Sequence, residues 1–219
     1  MSRLVLMDLD NTLIDRRGPL ANWVVEFAAA RQLSAAAADR ISVALRERAS
    51  AETFEDLRSA FGLAESAAEL WGAYVTGMAR GVVCSPEVLA RIDLLRSTGW
   101  TVGVLTNGAT DIQLAKLAAT GLLDRLDAVC ISDEAGARKP DVEAFRVAVA
   151  RCGYELPAGA WMVGDNPATD IAGAAAAGLR TVWISAGSAW ATPGLTPDHI
   201  AETAAEAADF LLGLSEGMR

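Results

Sequence analysis

Two carboxylates, Asp8 and Asp10, sit two residues apart at the end of an apolar run. On a continuing strand their side chains would share a face. Carboxylates that close repel, and a hard divalent cation would relieve the repulsion. Asp165 closes another apolar run, and Asp170 follows it by five residues, about one turn into the next helical stretch. Asp165 can supply a further oxygen ligand, and Asp170 can orient a metal or its waters. Thr106, Asn107 and Gly108 stand together where a strand-like run gives way to a helix. They offer a hydroxyl, amide donors and a permissive backbone, a natural site for phosphate oxygens. Lys139 adds a compact positive charge just before another helix. It is one of only two lysines, with Lys116, in a chain that otherwise uses arginine. The set suits phosphoryl transfer, in which positioning and charge neutralisation dominate.

These residues need a scaffold that brings them to one edge. The runs 3–10, 100–107, 127–133, 160–165 and 180–185 are nearly continuous in Val, Ile and Leu and end in polar or acidic residues. Such runs mark strands covered on both faces, as in a parallel sheet. Between them lie helical patterns over 86–97, 111–120, 141–151 and 168–177, the last ending at Gly178 as a C-cap. The alternation predicts a doubly wound, Rossmann-like α/β domain, whose ligands bind at the carboxyl ends of the strands.

Residues 14–82 break the alternation. Leu20, Trp23, Val24 and Phe27 recur at helical spacing, as do Ile41 and Leu45, and Leu70, Trp71, Tyr74, Val75 and Met78. The expectation is an all-helical cap domain of three or four helices over 15–82, inserted in a core domain formed by 1–14 and 83–219. Arg16 and Arg17 lie at its hinge and Arg46, Arg48 and Arg58 on its helices, where any could meet a second anionic group on a substrate. Trp23 and Trp71 read as cap core rather than as stacking platforms.

Composition narrows the partners. Of 219 residues 52% are hydrophobic and 21% charged, enough for a packed core. A net charge of −9 argues against nucleic acid and anionic lipid as partners. No run is long enough for a membrane span or a signal peptide, so a cytoplasmic protein is expected. Cys84, Cys130 and Cys152 form no metal or disulfide pattern and read as reduced, mostly buried thiols. The single histidine, His199, reads as a surface residue near the C-terminus, which removes Ser-His-Asp and Cys-His chemistry from consideration.

In this order the motifs resemble the haloacid dehalogenase-like hydrolase superfamily. They are Asp8-Leu9-Asp10-Asn11-Thr12, Thr106 in Leu105–Gly108, Lys139-Pro140, and Gly164-Asp165 through Asp170. The helical insertion after the first strand resembles the cap of the phosphoglycolate-phosphatase-like branch. The resemblance implies a Mg²⁺-dependent phosphatase acting on a small phosphorylated metabolite. Asp8 would be the nucleophile, forming an aspartyl-phosphate, and Asp10 the general acid and base. Thr106, Asn107, Gly108 and Lys139 would hold the phosphoryl oxygens. The metal would bind Asp8, the backbone carbonyl of Asp10, and Asp165, with Asp170 in support. Asp10 argues against dehalogenation, because a departing halide needs no proton. The absence of lysine from 14–82 argues against Schiff-base phosphonate chemistry. A phosphosugar mutase shares all four motifs. A phospho-receiver domain is shorter, lacks the insertion and carries no second acidic pair after the lysine.

Overall fold

The computed structural model describes residues 3–47, 49–156 and 159–216. Six strands form one parallel sheet: β1 (Leu4–Met7), β2 (Thr101–Thr106), β3 (Ala128–Ile131), β4 (Trp161–Gly164), β5 (Arg180–Ile184) and β6 (His199–Ala201). Their order is β3-β2-β1-β4-β5-β6, so β1 lies at the centre and the order reverses beside it. All four residues of β1 are at most 1% exposed, as a strand covered on both faces requires. Alternate residues serve different layers. Val5, Met7, Val102, Val104 and Val163 join one apolar cluster, and Leu4, Leu6 and Met162 join the other with Phe145 and Val149.

The helices follow local signals. In the segment expected to form the cap they are α1 (Arg17–Ala30), α2 (Ala35–Glu47), α3 (Ala51–Phe61) and α4 (Ala67–Gly81). Ser50 caps α3, Gly62 ends it in the left-handed region at φ 61°, and Ser66 with Glu69 forms a capping box on α4. The core helices are α5 (Pro86–Ser97), α6 (Thr110–Ala119), α7 (Ser132–Ala135), α8 (Val142–Arg151), α9 (Gly173–Ala176) and α10 (Ala204–Glu216). Pro86 occupies the first turn of α5 behind the Ser85 cap. Trp23, Phe27, Phe54, Trp71 and Tyr74 pack ring on ring, with Trp23 and Phe27 centroids 4.6 Å apart and Trp23 and Tyr74 5.0 Å apart. The two tryptophans therefore belong to the cap core. Trp71 Nε1 also donates to Asp111 Oδ2 at 2.5 Å, tying α4 to α6.

Three local expectations change. The first strand stops at Met7, and Asp8–Ile14 form a turn with Asn11 at φ 63° and a bridge between Asp10 and Ile14. The 168–177 stretch divides into a π-helical turn, Pro167–Ala172, followed by α9; such turns concentrate at functional sites. His199 is not a simple surface residue. It lies half-buried on β6, paired with Val182, its ring stacked 3.7 Å from that of Phe210. Among the described residues all three cysteines are free thiols, and no helix is long and apolar enough to cross a membrane.

Candidate active site

The carboxyl ends of β1, β2 and β4, with the loop before α8, converge under the cap. A cavity of about 1020 Å³ opens there between the strand ends and helices α1, α2 and α4. Asp8, the first residue past β1, is fastened by its N–H to the Val163 carbonyl at 2.9 Å. Its Oδ1 accepts a hydrogen bond from Lys139 Nζ at 2.6 Å, and the same ammonium lies 2.7 Å from Asp170 Oδ1. Lys139 is held through its backbone: its N–H donates to Asn107 Oδ1 and its carbonyl accepts from Asn107 Nδ2, both at 2.9 Å. The Asn107 side chain is therefore committed to placing the lysine rather than free for a phosphate. Gly108 is likewise engaged, its N–H donating to Ser132 Oγ at 3.1 Å. The Thr106 hydroxyl, buried at the end of β2, accepts from Gln113 Nε2 at 2.6 Å.

Carboxylate oxygens of Asp8, Asp165 and Asp170 lie within 4.8 Å of one another. Asp170 is buried against Gly164, where any Cβ would overlap its carboxylate, and its Oδ2 accepts from the Asn166 N–H at 3.0 Å. Burial pushes the Asp8 carboxyl up to about 8; Lys139 works against this and Asp170 with it. Burial and then the Asp170 charge raise Asp165 to about 6. Burial works against the Lys139 ammonium, but Asp170 and Asp8 outweigh it and hold the lysine charged. One ammonium thus faces three clustered carboxylates. A hard divalent cation fits this set of oxygen donors and would restore the ionised forms.

Asp10 behaves differently from the expectation of a shared face. Because β1 ends at Met7, its carboxylate turns away from the cluster and meets Lys116 of α6, whose Nζ donates to both carboxylate oxygens at 2.8 Å. Its counter-charge is a lysine, and its side chain is not among the three clustered carboxylates. Lys116 also donates to Gln113 Oε1 at 2.7 Å, and Gln113 Nε2 lies 3.4 Å from Asp10 Oδ2. One face of α6 therefore links Asp10 to Thr106. Burial lowers the Lys116 pKa, with Asp10 opposing. The sequence signal for this pair was a charged residue at an inward position of α6, between the buried Ile112 and Leu117.

The cap hinge also reaches the site. Arg17 Nη2 lies 3.2 Å from Asp165 Oδ2, and Arg16 Nε 3.9 Å from Asp10 Oδ2. Of the other cap arginines singled out, Arg46 lines the cavity, Arg58 pairs instead with Glu55 on its own helix, and Arg48 lies outside the described residues. Trp183 Nε1 steadies the β4 end by donating to the Asp165 carbonyl at 2.9 Å.

Known proteins resemble this chain in sequence and fold. A phosphoserine phosphatase of Thermus thermophilus is 39% identical over 153 residues, 70% of this chain and 59% of that relative. The chain spans between half and three fifths of the length of the first curated relatives it matches. The crystal structure of a HAD phosphatase from Thermococcus onnurineus superposes with a TM-score of 0.71 at 29% identity, covering 96% of this chain and 98% of that one. A 2-haloacid dehalogenase from Pseudomonas syringae superposes at 0.74 with 27% identity, over 98% and 99%. With residues 3–178 matching the haloacid dehalogenase-like hydrolase model, on a parallel sheet whose strand ends carry three of the motifs and the loop before α8 the Lys139 motif, the chain belongs to that family.

Proposed function

We propose that this protein is a Mg²⁺-dependent phosphatase that hydrolyses the phosphate monoester of a small metabolite through an aspartyl-phosphate at Asp8. The observation that carries the reading is the separation of the two carboxylates of the first motif. Asp8 sits in the acidic cluster with Lys139, whereas Asp10 stands apart in the cavity with Lys116. Two carboxyl groups in unlike surroundings can divide nucleophile and acid–base work. Named phosphatases among the relatives support the same reaction class.

In this mechanism an Asp8 carboxylate oxygen attacks phosphorus while the ester P–O bond breaks. Asp10 gives its proton to the departing alkoxide. It then takes a proton from water, whose oxygen attacks phosphorus and releases phosphate from Asp8. Lys139 and Thr106 hold the transferring oxygens. Asp8, Asp165 and Asp170, with the Asp10 carbonyl, would hold the Mg²⁺. When bound it would supply charge neutralisation at the phosphoryl group. The cap excludes water and selects the alcohol.

The test is phosphate release from an aryl phosphate with added Mg²⁺, after verified metal removal, and with Asp8→Asn. The expected result is turnover that needs the cation and disappears in the variant. Undiminished turnover in excess chelator would overturn the metal assignment, and wild-type activity in Asp8→Asn the nucleophile.

A further inference from the structure

The phosphatase reading places the departing alcohol beside Asp10, and the charged cap residues that line the cavity share one chemical character. Arg16 is fastened on both sides: its N–H donates to Asn11 Oδ1 at 3.2 Å and its Nη2 to the Leu45 carbonyl of α2 at 2.7 Å. The guanidinium is thus pre-set 3.9 Å from Asp10 with donors to spare. Arg46, one residue beyond Leu45, donates to Ser42 Oγ at 3.2 Å and has no carboxylate partner among the described residues. Tyr74 of α4 is fully buried and lines the same cavity, its hydroxyl beside the Arg16 guanidinium and without a well-formed hydrogen bond among the described residues. A ligand oxygen placed there would meet both the hydroxyl and the guanidinium. Among the described cap residues lining the cavity are three arginines and no Asp or Glu, in a chain of net charge −9. The cap tryptophans are packed within the aromatic cluster, and so is Tyr74, so among the described cap residues lining the cavity no ring face is left free for a nucleobase.

We propose that the alcohol released from the substrate carries its own anionic group, a carboxylate or a second phosphate, seated between Arg16, Arg46 and the Tyr74 hydroxyl. The substrate is then a phosphorylated small acid or a bisphosphate, not a neutral sugar phosphate or a nucleoside monophosphate. This deepens the phosphatase reading and rests on it.

Three esters on one three-carbon skeleton test it: the phosphate of 3-hydroxypropanoate, the monophosphate of 1,3-propanediol and the bisphosphate of 1,3-propanediol. The expected kcat/KM for one of the two anionic esters exceeds that of the neutral one by about 100-fold, from charge-assisted bonds to arginine. The better of the two names the anion. In Arg46→Gln and in Tyr74→Phe that ratio falls by about tenfold or more. A partly unfolded variant would lower both rates together and leave the ratio unmoved. Equal or better turnover of the neutral ester overturns the proposal and leaves the phosphatase reading intact. A ratio unchanged in both variants overturns it too, as does turnover of an aryl phosphate but of none of the three esters. No phosphate from any ester, aryl included, overturns the phosphatase reading and this proposal with it.

Discussion

Lys116→Met removes an ammonium that donates to both oxygens of Asp10 at 2.8 Å while keeping nearly the same volume. At that separation and an effective dielectric of about 20, the attraction is about 6 kcal/mol. Removing the lysine also removes its own burial penalty, and breaking a buried pair typically loses about 3–5 kcal/mol. Asp10 keeps 18% of its side chain exposed, so water recovers part of the loss and about 3 kcal/mol is the expected destabilisation. For a chain of this size that is a fall in Tm of about 6–12 °C. The catalytic effect is separate from stability. In the proposed mechanism Asp10 must protonate an alkoxide and later deprotonate water, and a displaced acid–base group costs about 10²-fold. A nitrophenolate leaves without needing a proton. Rapid-mixing kinetics on folded Lys116→Met should therefore show a near-normal burst of nitrophenolate and then a steady state slowed about 10²-fold. With an alkyl phosphate the first turnover should itself be slow. Lys116→Arg should restore part of both. Equal slowing of the first turnover for aryl and alkyl esters, or no slowing of either, would sink the idea that Lys116 sets the position of Asp10.

Two further outcomes follow from the acidic cluster. Asp8 and Asp165 have carboxyl groups raised to about 8 and about 6, so the metal-free native state binds more protons than the unfolded chain between about pH 4 and pH 8. Its stability should fall as pH rises through that window, and Mg²⁺, competing with protons for the same oxygens, should raise Tm more at pH 8 than at pH 5. A metal-free Tm that climbs from pH 5 to pH 8 would contradict this. Gly164→Ala places a methyl against the Asp170 carboxylate. The variant should lose about 1–3 kcal/mol in urea unfolding and need more Mg²⁺ for half-maximal activity; an unaltered metal requirement would separate Asp170 from the metal.

Much of the site was legible because its residues stand where apolar runs end. Asp8, Thr106 and Asp165 close or follow central strands, and period and burial place those ends together. The helices over 17–81 were legible from helical spacing, and the buried Tyr74 and Trp71 positions follow it. What escaped depends on pairings between distant segments. Asp10 looked like a partner of Asp8 until the turn at Asn11 sent it to Lys116, more than a hundred residues on. The Asn107 side chain and the Gly108 N–H are engaged by Lys139 and Ser132, contacts that no local pattern foretells. β6, three residues long with an exposed Ile200, has no pattern for local reasoning to find.

The central place of β1 has a consequence for how the molecule comes into being. Val5 pairs on one side with Val102 and on the other with Trp161, so the strand that leads into Asp8 is enclosed only by segments far downstream. Closing such long loops is the slow part of reaching a parallel sheet. A chain cut before β4 would hold Asp8, the cap, Thr106 and Lys139, yet would leave one flank of β1 without a neighbour. Half-made chains would then be inert, with a bare strand edge open to aggregation or capture by chaperones. Restoration of phosphate release would be a late signal in refolding, trailing the recovery of helical structure in the cap.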